Sequence, residues 1–301
     1  MKDYVIFTDA SADMPDGYAE KNDIHIVPMN LLLDDDSYTW SKTEGEDQIR
    51  RFYDAQRNGS LTHTSQVSPQ QYVDSFSSVL ATGQDVLYIS LSGGLTNSQG
   101  SIHIAQDELA EIYPDVSIYA VDSLSASGGI GLLIQDAVEN RKNGMSVQEN
   151  KEDLEDKSHR VCHLFMVEDL LFLKRGGRIS AATAIIGTAL SVKPILVIDD
   201  EGKLTVIDKK RGRKQAITEL MGRCRTSRDL SRHEFSIIHA DAPELAALLV
   251  EEVKMLDPEA QISVNMLTPI IGAHTGPGLA AVIYYGDRCK MIKKTEQTEI
   301  Q

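Results

Sequence analysis

The sequence predicts an α/β protein of two domains: an N-terminal domain built on a mostly parallel sheet and a C-terminal α+β domain. In the first half, short apolar runs alternate with segments of helical periodicity, an order that favours parallel strands covered by helices on both faces. In the second half, two strands follow each other as a hairpin. The length of 301 residues also exceeds that of a typical single domain.

The first domain, residues 1–157, is predicted to begin with a strand and to alternate strands with helices. Its predicted strands are the apolar runs Tyr4–Thr8, Ile24–Leu33, Val86–Ile89 and Val116–Val121. Its predicted helices are Glu46–Arg57, Gln71–Leu80, a segment capped by Thr96 or Asn97, Ile130–Val138 and the solvated Val147–Lys157. Ser68 and Pro69 suit the cap and first turn of the second helix, and Leu61–Pro69 is predicted to be a polar loop.

The second domain, residues 158–301, is predicted to mix strands and helices in an α+β order. Its predicted strands are Arg160–Val167, Pro194–Asp199, Leu204–Asp208, Glu234–Ala240, Gln261–Thr268 and Ala280–Tyr285. Its predicted helices are Ala181–Leu190, Arg213–Cys224 and Glu244–Lys254. A glycine-containing turn joins the second and third strands into the hairpin, and Gly272–Gly278 is predicted to be a polar loop rich in glycine.

Charge and composition exclude some classes of function. The formal net charge of −15 argues against nucleic acid as a partner. No apolar run approaches the ~20 residues of a membrane span, and the N-terminus enters a strand without a signal-peptide pattern. We therefore expect a cytoplasmic protein with no integral membrane segment. The three cysteines are far apart in the chain, which favours free thiols.

Polar residues with short side chains follow several predicted strands. They form the segments Asp9–Asp13, Thr62–Ser65, Ser90–Gly94 and Asp122–Ser127. Ligands of open parallel sheets bind beyond the carboxyl ends of the strands, and a strand, a Ser/Gly turn and a helix N-terminus suit an anion. The alternative is that these are ordinary turn and capping residues, and the residues alone leave both interpretations open.

Two basic segments and one histidine stand out beside these loops. Arg175 and Arg178 flank two glycines, an arrangement that suits phosphate, although a solvated basic turn is the alternative. The basic run Lys209–Lys214 could recognise a phosphate-carrying or acidic partner, or be a solvated face. His274 is the histidine best placed for chemistry. Phosphate-loop, dinucleotide-binding and zinc-protease motifs are missing from the sequence, and we predict no metal or cofactor.

Six sequence blocks in this order resemble the DegV family. They are Thr8–Asp13, Thr64–Pro69, Ser90–Leu95, Val121–Ser123, Leu173–Ser180 and Ile271–Gly278. The resemblance implies two domains with a long-chain fatty acid buried between them. Some members of the family act as the fatty-acid-binding subunit, FakB, of the bacterial fatty acid kinase, in which an ATP-dependent partner phosphorylates the bound acid to an acyl phosphate.

The resemblance also implies roles for particular residues. Thr64, Ser65, Ser92, Gly93, His274 and Thr275 would hold the fatty-acid carboxylate, and Arg178 and Arg175 would face the phosphate or the kinase partner. The chain itself would be a non-catalytic carrier. Two other functions stay open: a small-molecule or lipid sensor without a kinase partner, and a stand-alone phosphotransferase or hydrolase with His274 or Asp9 as base.

Three positions depart from the family pattern. Gly93 stands where the family commonly has a second serine, Asn97 where it has a glycine, and Val67 where it has a proline. The loss of a hydroxyl at position 93 means that a backbone N–H must hydrogen-bond the carboxylate there.

Overall fold

The computed structural model describes residues 3–41, 45–168, 170–180 and 191–293. Its strands are β1 Tyr4–Asp9, β2 Ile24–Val27, β3 Met29–Leu33, β4 Asp36–Trp40, β5 Thr62–Thr64, β6 Asp85–Ser90, β7 Ile118–Asp122, β8 Val161–Met166, β9 Val192–Ile198, β10 Leu204–Arg211, β11 Glu234–His239, β12 Gln261–Met266 and β13 Ala280–Tyr285. Its helices are α1 Tyr18–Lys21, α2 Glu46–Arg57, α3 Pro69–Leu80, α4 Ser98–Ile112, α5 Gly128–Lys142, α6 Val147–Ser158, α7 Leu171–Arg175, α8 Arg213–Ser227, α9 Pro243–Leu256, α10 Pro269–Thr275 and α11 Arg288–Ile292. The predicted helix Ala181–Leu190 lies outside the described residues.

The N-terminal half contains the predicted parallel sheet. Its four strands lie in the order β2-β1-β6-β7, and every neighbouring pair is parallel. All six residues of both β1 and β6 are buried, as expected for central strands covered on both faces. Ser68 caps α3 through a capping box with Gln71, and Pro69 occupies the first turn. The α/β fold class is therefore confirmed.

A small antiparallel sheet corrects two predictions. Ile24–Leu33, predicted to be one strand, is two strands in different sheets, because β2 pairs with β1 and β3 pairs with β4 and β5. Pro28 separates them, and proline has no N–H to continue a ladder. The predicted loop Leu61–Pro69 contains the strand β5, whose polar composition conceals it. Its Thr64 pairs with Leu31 of β3.

The C-terminal half is built on a six-stranded mixed sheet in the order β10-β9-β8-β13-β11-β12. The predicted hairpin is confirmed as the antiparallel pair of β9 and β10. Only β11 and β12 are parallel to each other in this sheet. The predicted loop Gly272–Gly278 is wrong in its first part, which belongs to α10. Buried hydrogen bonds to the carbonyls of Gly272 and Ala273 stabilise that short helix despite its glycine.

One hydrophobic core contains side chains from both halves, and a second lies within the C-terminal half. The apolar helix α5 contacts β6 of the parallel sheet and β8, β11 and β13 of the mixed sheet. Arg288 of α11 is 2% exposed and donates to the carbonyls of Leu124 and Ser158 on one side and of Val161 and Asp199 on the other. The boundary between residues 157 and 158 stays a prediction. None of the helices in the described ranges is long and apolar enough to cross a bilayer.

Candidate functional site

A large cavity of about 680 Å³ lies at the junction of the two halves. This volume lies within the range of about 300–1,000 Å³ that is usual for small-molecule sites. Most of its wall is apolar, with side chains from both halves. They include Met29, Leu91 and Leu95 from the N-terminal half and Phe165, Ile198, Ile238, Leu267 and Ile283 from the C-terminal half. The cavity therefore suits a ligand that is mainly hydrocarbon.

Polar groups gather in one part of the wall. The Thr64 hydroxyl oxygen lies 2.7 Å from Nε2 of His274, and both residues line the cavity together with Ser65, Arg178 and Thr275. Ser65 is exposed, whereas His274 and Thr275 are buried. The structure thus brings together five of the eight residues that the resemblance assigns to the site, and Gly93 lines the same cavity.

Buried hydrogen bonds across the two halves hold Thr64 and His274 in register. The Gln56 side-chain amide of α2 donates to the Gly272 carbonyl of α10 at 3.0 Å and to the Thr62 hydroxyl at 3.0 Å. The Thr62 hydroxyl in turn donates to the Ala273 carbonyl at 2.9 Å. These bonds hold β5 against α10 and so fix where the Thr64 and His274 side chains face the cavity.

The Gly176–Arg178 segment packs directly against His274. A Cβ atom at Gly176 would lie 2.3 Å from Nδ1 of His274, so this position has no room for a side chain. The segment follows α7 and carries Arg178 to the cavity wall. Arg175, the last residue of α7, is exposed and does not line the cavity, and its guanidinium carbon lies 5.7 Å from the centre of the Phe172 ring.

His274 is a neutral imidazole near neutral pH. Burial lowers its pKa to about 3, and the neighbouring Arg178 and His63 act in the same direction. Its Nδ1 has no hydrogen-bond partner among the described residues. A neutral imidazole has one N–H donor and one acceptor nitrogen, so His274 contributes a hydrogen bond to the site and no charge.

Arg178 brings a positive charge to this polar end. It is half-buried, and burial lowers its pKa. Its Nη1 donates to the Gly176 carbonyl, and no carboxylate within the described ranges lies at ion-pair distance from it. A half-buried guanidinium without a counterion favours an anionic ligand, because burial raises the free energy of an uncompensated charge.

Ser92 lies behind the cavity wall in this structure. Its hydroxyl donates to the Gly202 carbonyl at 2.8 Å and accepts the Gly94 N–H at 3.1 Å, and its exposure is 0%. Gly202, in the turn between β9 and β10, has a φ of 73°, and a Cβ there would lie 2.1 Å from the Ser92 hydroxyl oxygen. The turn of the C-terminal half therefore closes tightly on this loop.

The N–H of Gly93 is directed towards Asp122. It donates to both carboxylate oxygens of Asp122, at 3.1 and 3.2 Å. A Cβ at position 93 would lie 2.8 Å from one of those oxygens, so the glycine that departs from the family pattern is matched to the close approach of Asp122. Whether Ser92 and Gly93 contact a ligand stays a prediction.

The polar groups of the remaining strand-end loops form hydrogen bonds with one another. Asp9 is 2% exposed and accepts hydrogen bonds from the N–H of Leu91 at 2.9 Å and from the Tyr88 hydroxyl at 3.1 Å. The Ser127 hydroxyl donates to Asp13 at 2.5 Å. Asp9 is enclosed by these hydrogen bonds and does not line the cavity. Its position therefore favours a role in stabilising the loop after β6 over a role as a base.

Sequence reasoning missed several cavity residues. Gln66, Thr96 and Lys203 line the cavity, although nothing in their neighbourhood distinguishes them from ordinary polar loop residues. His163 also lines it, from the middle of an apolar strand, and its Nε2 lies 3.2 Å from the Ala126 carbonyl oxygen. A histidine within an apolar run was the one available signal. In the described part of the chain no group of three or more His, Cys, Asp or Glu side chains could hold a metal ion.

Comparison with known families identifies relatives over nearly the whole chain. The family model described as "Uncharacterised protein, DegV family" matches residues 3–287. A DegV domain-containing protein of Clostridium perfringens is 36% identical over 289 residues, which cover 95% of this chain and 99% of the relative.

Solved structures with the same architecture include two that were described with fatty acids. A DegV family protein of Thermus thermophilus, reported for its fatty acid binding, has a TM-score of 0.83 and 27% identity over 95% of this chain and 100% of that one. The fatty acid kinase B3 protein of Streptococcus pneumoniae, loaded with linoleic acid, has a TM-score of 0.82 over 95% of this chain and 100% of that one. Its identity of 18% makes it evidence for the fold alone.

Proposed function

Because the chain belongs to the DegV family, we propose that it binds one long-chain fatty acid, with the hydrocarbon tail in the large cavity and the carboxylate beside Thr64, Arg178 and His274. The fatty acid binding reported for the Thermus thermophilus protein supports this proposal. Burial of the tail contributes about 0.8 kcal/mol for each CH₂ group removed from water. The apolar wall thus supplies most of the affinity, and the polar end supplies the orientation.

The observation that carries the proposal is the position of Arg178. It is half-buried at the polar end of a mainly apolar cavity and has no carboxylate at ion-pair distance among the described residues. A carboxylate would provide that counterion, and a charge-assisted hydrogen bond to it is worth roughly 1.5–3 kcal/mol. The resemblance assigned Arg178 to the phosphate or the partner; its place in the cavity wall supports contact with the carboxylate as well.

Thr64 and His274 would act as a pair of neutral groups. If Nε2 of His274 carries the proton, it donates to the Thr64 oxygen and leaves the Thr64 O–H free to donate to the carboxylate. The buried bonds that fix β5 on α10 would then preorganise this donor. Ser65 and Thr275 border the same place, and Ser92 would act by holding its loop against Gly202.

The finer part of the proposal is that the protein presents the carboxylate to an ATP-dependent fatty acid kinase, which forms the acyl phosphate. The polar end supports this, because the lining residues Ser65, Gln66 and Asn97 are exposed, so a partner could reach the head group. The sequence lacks the nucleotide-cradling motifs that a stand-alone phosphotransferase would need. The carrier itself would be non-catalytic, and the ATP would be held by the partner.

Two measurements, made one after the other, test the proposal. Mass spectrometry of organic extracts from the purified protein should detect a long-chain fatty acid, and palmitate should raise the unfolding temperature of delipidated protein. Absence of both effects would overturn fatty-acid binding. Acyl phosphate formation on mixing with a fatty acid kinase and ATP then separates the carrier from a sensor: palmitate binding without any acyl phosphate would contradict the kinase role alone.

A further inference from the structure

A second cavity, of about 370 Å³, lies apart from the first and has the opposite electrostatic character. It is enclosed by the segment after β1, the start of α2 and the C-terminal end of β12. Three consecutive residues separate the two cavities: Leu267 lines the first, and Met266 and Thr268 line the second. The second cavity is therefore a distinct compartment with a shared wall.

Its wall contains polar atoms that lack partners. Nε1 of Trp40, Nδ2 of Asn265 and the hydroxyl of Thr268 are buried and make no hydrogen bond with any described residue. Trp40 is 6% exposed and Thr268 2% exposed, and all three side chains line the cavity. A buried polar group without a partner costs roughly 1–3 kcal/mol, and such groups in a native protein call for a ligand or an ordered water.

The charged residues of this cavity all carry the same sign. Asp13, Asp16, Glu20 and Glu46 line it, and none of its described lining residues is Lys, Arg or His. Glu46 pairs with Arg50 at 2.8 Å, whereas Asp16 and Glu20 form no ion pair with any described residue. The negative field opposes a fatty-acid carboxylate and favours a cation.

The donor groups indicate that the cation is organic. The N–H groups of Trp40 and Asn265 cannot ligate a metal ion, but they can donate to an acceptor oxygen of an organic molecule. The apolar side chains of Met14, Ile49 and Met266 form part of the same wall and would cover a compact hydrocarbon group. The Trp40 ring also offers a face to which ammonium groups are attracted.

We propose that the second cavity binds a small organic cation that carries a hydrogen-bond acceptor and a compact apolar group. Trp40, Asn265 and Thr268 bind its acceptor and polar atoms, and Asp16 and Glu20 stabilise its charge. This site lies outside the fatty-acid cavity, with which it shares a wall.

Trp40 is the single tryptophan of the chain and lines this cavity, so its fluorescence can report binding there. The test titrates the protein with three probes of one shape: L-phenylalanine amide as the cation, N-acetyl-L-phenylalanine amide as the neutral form and N-acetyl-L-phenylalanine as the anion. We expect a saturable fluorescence change with the cation, at least about tenfold weaker binding of the neutral probe, and no binding of the anion. No saturable change with the cation, or equal binding of all three probes, would overturn the proposal.

Variants locate the bound probe. Thr268→Val keeps the side-chain shape and removes the hydroxyl, and we expect about fivefold weaker binding of L-phenylalanine amide. Asp16→Asn combined with Glu20→Gln should weaken it about tenfold and, being exposed substitutions, leave folding intact. Glu251→Gln on α9, an exposed acid remote from the cavity lining, is the matched control and should bind as the wild type does. Unchanged affinity in both cavity variants would place the probe elsewhere and contradict the assignment.

Discussion

The hydroxyl oxygen of Thr64 and Nε2 of His274 lie 2.7 Å apart although 210 positions separate these residues in the chain. Thr64 ends β5 of the N-terminal half, and His274 belongs to α10 of the C-terminal half. Gln56 and Thr62 connect the two elements through buried hydrogen bonds. The polar end of the cavity is therefore assembled by the contact between the halves.

Replacement of Thr64 tests whether its hydroxyl binds the carboxylate. Thr64→Val conserves shape and removes the donor, and we expect palmitate affinity to fall about fivefold, since one hydrogen bond contributes roughly 1 kcal/mol. Displacement of a fluorescent fatty acid measures this. Thr64→Ser, which retains the hydroxyl, is the matched control and should stay within about twofold of the wild type. Equal affinities of the Val and Ser variants would contradict the role.

Replacement of Ser92 should affect both binding and stability. Ser92→Ala leaves the buried Gly202 carbonyl without its donor, so we expect the free energy of unfolding to fall by about 1–3 kcal/mol. Palmitate affinity should fall as well, because the loop beside Gly93 loses its anchor. Urea unfolding and ligand displacement measure the two effects. Ser77→Ala, whose hydroxyl bonds only within its own helix, is the control. Unchanged stability of Ser92→Ala would contradict the anchoring role.

Most strands and most helices could be predicted from the sequence because their apolar periodicity is local, whereas the exposed strand β4 was not predicted. Central strands such as β1 and β6 are apolar runs that are buried throughout, and α3 begins at a recognisable Ser-Pro cap. The polar strand β5 and the short helix α10 could not be predicted in this way. Each is stabilised by hydrogen bonds to the other half, and the residues that form these bonds lie about 210 positions apart in the chain.

The sequence was sufficient to predict which residues belong to the candidate site, but not which atoms they contact. His274 and Thr64 were identified through the family resemblance, and the structure brings them together. The exact direction of the Ser92 hydroxyl and of the Gly93 N–H depends on the β9–β10 turn and on Asp122, which only the folded chain brings close. The uncompensated charge of Arg178 is likewise a property of packing, because the sequence cannot say which carboxylates are near.

Because two histidines are buried, we expect the folded protein to lose stability in mild acid. Burial lowers the pKa of His163 and of His274 to about 3, whereas a histidine in the unfolded chain titrates near 6.5. Below about pH 6.5 the unfolded state therefore binds more protons than the folded state, and the free energy of unfolding falls with decreasing pH, by up to about 1.4 kcal/mol per pH unit for each histidine.

Urea unfolding between about pH 7 and pH 5 measures this slope. His163→Gln should reduce it by the contribution of one histidine, whatever the variant's stability at neutral pH. His103→Gln, on the exposed side of α4, is the control and should keep the wild-type slope. A His163→Gln slope equal to that of the wild type would contradict the neutral, buried state of this side chain.

A substitution in the cavity wall tests where the tail lies. Ala281 of β13 lines the cavity and is 5% exposed, so Ala281→Leu places three further carbon atoms in that space. We expect affinity for oleate to fall about tenfold or more, because overpacking typically costs roughly 1–3 kcal/mol. Affinity for laurate, a shorter chain, should change much less in the same variant. An equal loss for both acids, or no loss for oleate, would contradict a tail beside Ala281.

The most direct test of the central proposal compares two ligands that differ only in the head group. Calorimetric titration of delipidated protein with palmitate and with hexadecanol measures what the carboxylate contributes at the polar end. The account predicts one palmitate per chain, bound at least about tenfold more tightly than hexadecanol, and a preference that collapses in Arg178→Gln. Equal affinities for the two ligands in the wild type, or an undiminished preference in Arg178→Gln, would contradict it.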